Sequence, residues 1–243
     1  MLLGDSGAQF DPTKFKWIGS IASQYSTCMV WQTSSIRSIE DAKSHEVRVS
    51  TTGFTGNSAK LPLMLNKLLG TRFKVIAGYA STGMRLAVER GEVDGICGLP
   101  YDTYTATEPQ WLTDPKIRFI LQTGFHRAKA LPDVPLLVDY VTDPTTRAAL
   151  NVLGIDEVAG RPVLFPPGVP DGRVEALRAA FDETMQDPKF LADAERQRID
   201  PQPLTGQEIE REIAQAYAAP ADIIMLAALL WGTDLQNGDL RKR

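Results

Sequence analysis

The stretch VRVSTTGFTGNSAKLPLMLNKLLGTRFKVIAGYASTGMRLAVERGEVDGICG, residues 47–98, decides the fold. VRVS (47–50) and FKVIAGY (73–79) are short, rich in β-branched and aromatic residues, and each runs into a Gly/Ser/Thr segment, as buried strands do. Between them Leu61, Met64, Leu65 and Leu68 keep the i, i+3, i+4, i+7 spacing of a helix stripe, and Gly70 stands where a left-handed C-terminal cap belongs. Strand–helix–strand crossovers are right-handed, so the loops TTGFTGNS (51–58) and ASTG (80–83) are expected at the carboxyl ends of neighbouring parallel strands. Open α/β sheets bind ligands at that edge. Each loop leads into a helix amino end, whose unpaired N–H groups favour an anion such as a carboxylate. Any α/β turn uses the same residues, so spacing alone leaves ligand loop and plain turn both open. Neither G-x-x-x-x-G-K-[ST] nor G-x-G-x-x-G occurs, which disfavours a nucleotide. Pro62 is expected to delay the helix start to a residue or two beyond Ser58.

The 243 residues, 43% hydrophobic, suffice for one large or two small cored domains. A net charge of -4, without a Lys/Arg stripe, gives no footprint for nucleic acid; only the tail, residues 240–243, is basic. IIMLAALLW (223–231) is the longest apolar run and falls well short of a membrane span, and the opening residues lack the basic and apolar regions of an export signal. Cys28 and Cys97 lie in the apolar runs STCMVW and VDGIC and read as buried free thiols. His45 and His126 have no Cys or carboxylate at ligand spacing, so no metal or cofactor is expected.

Along the chain, WIGSIASQYSTCMVWQ (17–32) offers two strands broken at Gln24, and the S-x-x-D pattern at Ser38 and Asp41 starts a short helix. After the strand ending near Gly98, Pro100, Tyr101 and Tyr104 either wall a pocket or cover the sheet edge. KIRFILQTG (116–124) is a further strand, and PVLF (162–165) another before a Pro/Gly cluster. Val174, Leu177, Phe181 and Met185 then mark one helix face, and Thr205 with Glu208 forms a T-x-x-E capping box for a helix carrying Ile209, Ile213 and Tyr217. Chain crossings between two lobes are expected at residues 26–33 and 161–166.

WIGSIAS, the stretch 49–70, the stretch 73–95, ALPDVP (130–135), VLFPPGVPDGRVEALRAAFDETMQDPKF and PLTGQEIEREI occur in an order that resembles the extracytoplasmic solute receptors of tripartite tricarboxylate transporters, the Bug or TctC-type binding proteins. The resemblance implies an α/β, two-lobed, periplasmic-binding-protein-like (type II) fold, with residues 33–160 as lobe two and residues 1–32 and 161–243 as what is present of lobe one. It implies a periplasmic monomer without catalytic residues, binding a small carboxylate between two lobes and passing it to membrane subunits. Thr52, Gly53, Thr55, Gly56, Asn57 and Ser58 match the family's Gly/Ser-rich ligand loop. Tyr79, Ala80, Ser81 and Thr82 match its second loop, usually Tyr-Lys-Gly-Gly, so the lysine is replaced by Ala80 and a glycine by Ser81.

Tyr101 joins them as a ligand-binding residue on the pocket-wall reading, while Asp94, whose charge would repel an anion, is assigned to shaping the start of its strand. Relatives open with an export signal and a P-F-x-x-G-G loop that this sequence does not show, so lobe one is expected to be incomplete. A shortened gene, a misplaced start codon and a degraded paralogue compete as reasons. The rival functions are a non-binding remnant and a small α/β hydrolase using Ser58 or Ser81. The hydrolase lacks a G-x-S-x-G elbow and has His126 as almost its sole base.

Overall fold

The computed structural model describes residues 2–3, 10–158, 160–197, 199 and 201–233; the basic tail and most of the opening segment lie outside the described residues. From the amino end come β1 (Lys16–Ser20), β2 (Ser26–Trp31), α1 (Ile39–Ser44), β3 (Val47–Thr51), α2 (Asn57–Leu69), β4 (Phe73–Ala77), α3 (Ser81–Glu89) and β5 (Gly95–Pro100). They are followed by α4 (Tyr101–Thr107), α5 (Gln110–Thr113), β6 (Ile117–Gln122), α6 (Pro144–Leu153), α7 (Ile155–Val158) and β7 (Pro162–Phe165). The last elements are α8 (Asp171–Gln186), α9 (Pro188–Arg196), β8 (Leu204–Thr205), α10 (Gly206–Tyr217) and α11 (Ala221–Trp231). Among the described residues the chain divides into a first unit, within 1–24 and 148–227, and a second, residues 25–147 and 228–233.

The second unit is built on a five-stranded sheet in the order β4-β3-β5-β2-β6. β3 runs parallel to β4 and β5, and β2 runs antiparallel to both β5 and β6. Residues 26–31, which the sequence groups with the opening strand, lie inside this sheet, because an apolar strand buried along almost its whole length needs a partner on each side. The same pairing corrects the expected free thiols. Cys28 stands directly opposite Cys97 in the antiparallel register, and the two form a disulfide.

The expected strand–helix–strand–helix–strand succession spans residues 47–100. α2 starts at Asn57, earlier than Pro62 suggests; the proline falls in the second turn and forfeits a single helical bond. Leu61, Met64 and Leu65 are buried, and Gly70 closes the helix at φ 70°, the left-handed conformation expected of it. On the other side Met84, Ala87 and Val88 of α3 join Met29, Ile96, Tyr104 and Trp111 in the core. Asp94 accepts from the Arg48 backbone N–H (2.8 Å) and from its guanidinium (3.0 and 3.1 Å), which ties the start of β5 to β3. That is the shaping role its charge suggested.

In the first unit β1 is the middle strand of the order β7-β1-β8, and α8 and α10 pack on it. Arg178 of α8 donates to the Trp17 carbonyl (2.8 Å) and to Glu210 of α10 (2.6 Å). The predicted capping box of α10 is present, and Ile209 and Ile213 are buried. The stripe read for α8 is narrower than expected: Val174 and Met185 are buried and Phe181 half-buried, but Leu177 is 42% exposed. A helix lying on one strand covers a thin line of positions, and i+3 falls beside it. Among the described residues no single helix is long and apolar enough to cross a membrane.

Candidate functional site

Parallel pairing of β4, β3 and β5, with β2 antiparallel between β5 and β6, brings four carboxyl ends to one edge of the second unit's sheet. The amino end of β2 shares that edge. β3 connects toward β4 on one side and β5 leads away on the other, so a topological switch point lies between them. The β3–α2 loop and the β4–α3 loop both open there.

Hydrogen bonds stitch the edge. Asn57, the first residue of α2, donates through Nδ2 to Ser26 Oγ (2.8 Å) and to the Gly98 carbonyl (3.1 Å). Ser26 N–H in turn donates to Thr123 Oγ1 (3.1 Å), and Thr123 N–H to the Ser26 carbonyl (2.8 Å). Gly98, at φ 90°, permits the close approach: a β-carbon there would stand 2.5 Å from the Asn57 carbonyl oxygen. Beneath the loop, the hydroxyls of Thr51 and Ser58 share a 2.7 Å hydrogen bond, and Thr51 Oγ1 also donates to the Gly53 carbonyl (2.9 Å). The loop after β6 is anchored by the buried Gln122. Its amide donates to the Leu131 and Val134 carbonyls (2.8 and 2.7 Å) and accepts from Ala128 N–H (2.8 Å), which fixes the ALPDVP segment.

The predicted site residues separate into two groups. Thr52, Thr55 and Gly56 are exposed and Gly53 half-exposed on the first loop; Ala80, Ser81 and Thr82 are exposed on the second. Ser81 and Thr82 belong to the first turn of α3 rather than to a loop. The others are engaged structurally. Ser58 is buried, so its hydroxyl serves Thr51, and the Asn57 amide serves Ser26 and Gly98. The Tyr79 hydroxyl donates to Glu92 (3.4 Å), in the turn before β5 and hence toward the opposite edge; only its backbone stays beside the loops.

Tyr101 is half-buried and stacks on Tyr25 (centroids 5.8 Å apart, planes at 20°), with Phe119 at 5.5 Å. Burial raises its phenol pKa. Tyr104, left open between pocket wall and sheet cover, is core: it is wholly buried against Trp111 and Phe119. Two residues that the sequence reading omits also stand at this edge, Tyr25 and the 63% exposed Phe54. An aromatic inside a Gly/Thr loop was the available signal for Phe54.

Electrostatically the loops are neutral. Residues 51–59 and 75–84 contain no charged side chain. Neither α2, capped by Gly56, nor α3, capped by Ala80, has a side chain bonded to its first N–H groups, whereas Ser38, Asp187 and Thr205 cap α1, α9 and α10. α4 shares the bare start. These two helix starts therefore present backbone donors and hydroxyls to whatever occupies the edge beside them. Among the described residues no group of three or more His, Cys, Asp and Glu could hold a metal ion.

No family model and no curated protein matches the chain. Among solved structures it aligns over its full length with a TctC solute-binding protein from Polaromonas, at TM-score 0.66 and 15% identity, spanning 75% of that protein. It aligns over 92% of its length with MatC from Rhodopseudomonas palustris with bound malate (TM-score 0.55, 17% identity, 74% of that chain). R. palustris Rpa4515 with adipate is matched over 90% (TM-score 0.57, 15% identity, 70% of that chain). At these identities the likeness is one of fold, and the fold is that of solute-binding proteins of the TctC type.

Proposed function

We propose that the protein is a solute receptor of the tripartite tricarboxylate transporter family, binding a small carboxylate at the carboxyl edge of the second unit's sheet. The observation that carries this reading is the convergence, at a topological switch point, of two helix amino ends that no side chain caps. The carboxylate is held by N–H groups at the starts of α2 and α3 and by the hydroxyls of Thr55, Ser81 and Thr82. Ser58 and Asn57 contribute through backbone and by holding the loop in shape. The adipate and malate found with two fold neighbours support a carboxylate.

The second unit corresponds to lobe two and the first unit to lobe one. Membrane subunits receive the ligand from a monomeric receptor in the periplasm, a compartment where a disulfide such as Cys28–Cys97 persists. No catalytic group is assigned: Ser58 is paired with a threonine hydroxyl rather than with a base.

Thermal-shift screening of folded protein against carboxylates, with the matching amides as controls, tests the proposal. Stabilisation by at least one carboxylate and by none of the amides is expected. A folded sample that no carboxylate stabilises would refute the receptor reading.

A further inference from the structure

We infer that the preferred ligand is a carboxylate with an aromatic or otherwise flat apolar body, and that Tyr101, Tyr25 and Phe54 select it. This deepens the carboxylate-receptor reading and rests on it. Tyr25 immediately precedes β2 and Tyr101 immediately follows β5; Ser26 and Pro100 are opposite one another in the sheet, and Tyr101 N–H donates to the Tyr25 carbonyl (3.3 Å). The two rings lie nearly parallel at 5.8 Å, both half-buried, and Phe119 packs on the Tyr101 ring at 5.5 Å. Asn57 bonds to Ser26, so the amino end of α2 sits next to this stack. Phe54 lies three residues before that helix start and is the most exposed large apolar residue among those described.

The loops that lead into α2 and α3 hold no charged side chain (residues 51–59 and 75–84). One carboxylate can be satisfied by neutral N–H and hydroxyl donors. The remainder of a ligand so held lies beside the Tyr25–Tyr101 stack. A flat apolar body in the same position loses water-exposed area against rings already held in place, and gains the offset or edge-on contacts aromatic pairs prefer.

Isothermal titration with benzoate and phenylacetate, against malate and adipate, decides the matter. The aromatic acids should bind at least about tenfold more tightly, and Phe54→Ala and Tyr101→Ala should each weaken them by up to about tenfold while leaving malate within about twofold. Phe54 is exposed, so its variant tests the idea even if Tyr101→Ala does not fold. Malate or adipate binding as tightly as the aromatic acids overturns the inference and leaves the receptor reading standing; so does a Phe54→Ala protein whose preference is unchanged. Binding of no carboxylate at all removes the receptor reading and this inference with it.

Discussion

Replacing Gly98 by alanine is expected to cost the protein about 3–4 kcal/mol, whereas the same change at Gly70 costs about 1–2 kcal/mol. The two glycines share a left-handed backbone, at φ 90° and 70°, so an added methyl meets a similar conformational penalty of about 1–2 kcal/mol at each. Their surroundings differ. Around Gly70 a β-carbon meets nothing within 4 Å, but at Gly98 it comes 2.5 Å from the Asn57 carbonyl oxygen and 2.9 Å from Ser58 Cα. These are backbone atoms in the first turn of α2, so relief requires moving the helix start. Such a shift breaks the Asn57 bonds to Ser26 and Gly98, each worth about 1 kcal/mol net. Urea unfolding followed by circular dichroism gives the difference between the variants directly. If Gly98→Ala loses no more stability than Gly70→Ala, the close approach of α2 to β5 is wrong, and so is the account of how the edge is held.

Three further outcomes are expected. The Tyr104 hydroxyl is buried and has no hydrogen-bond partner of good geometry among the described residues, because the nearby Thr27 hydroxyl donates to the Leu99 carbonyl (3.1 Å). Tyr104→Phe should therefore be neutral or stabilising by up to about 1 kcal/mol in thermal unfolding, and a clear loss would reveal a partner for the phenol. Glu208 accepts from the Thr205 backbone N–H and hydroxyl (2.8 Å each), and these bonds hold its carboxyl below the ordinary glutamate value of 4.5. A depressed folded-state pKa adds stability that is present above the unfolded value and lost as pH falls through the folded one. The deficit of Glu208→Ala, about 1 kcal/mol at neutral pH, should shrink toward zero on acidification below about pH 4; a deficit independent of pH would contradict the capping box. Finally, unreduced protein unfolded in guanidinium should titrate no thiols. Reduction should lower its stability by about 4 kcal/mol, the chain-entropy value for a bridge across 69 residues, and two free thiols before reduction would disprove the Cys28–Cys97 link.

The parts of the fold that were legible in the sequence are those that short-range physics determines. The stripe Leu61, Met64, Leu65, the cap at Gly70 and the caps at Ser38 and Thr205 each depend on residues a few positions apart, and each is present. What was misread depends on partners far along the chain. STCMVW is plainly a strand, but its place between β5 and β6 is set by pairings with residues 95–100 and 117–122 that no local pattern encodes. The disulfide follows from that register, since apolar runs favour free buried thiols only until two of them are laid side by side. Leu177 is an analogous case: the heptad-like spacing is real, yet α8 meets one strand rather than a broad sheet face.

The candidate site was legible as a pair of loops but not residue by residue, and the reason is that polar side chains at a sheet edge have two competing tasks. Thr51, Ser58 and Asn57 spend their side chains on the loop's own shape, which frees Thr52, Phe54 and Thr55 to be exposed without the loop collapsing. Composition cannot tell the two tasks apart, because a serine that holds a turn and a serine that holds a ligand are the same residue until burial separates them. The same division lets the two loops do without a charged side chain of their own. Bonds from Asn57 to β5 and to β2 orient the start of α2, so its backbone donors are fixed in advance rather than ordered by the ligand. On the proposed reading, a preorganised site of this kind holds one carboxylate and leaves the choice among carboxylates to what stands beside the donors, the stack of tyrosines included.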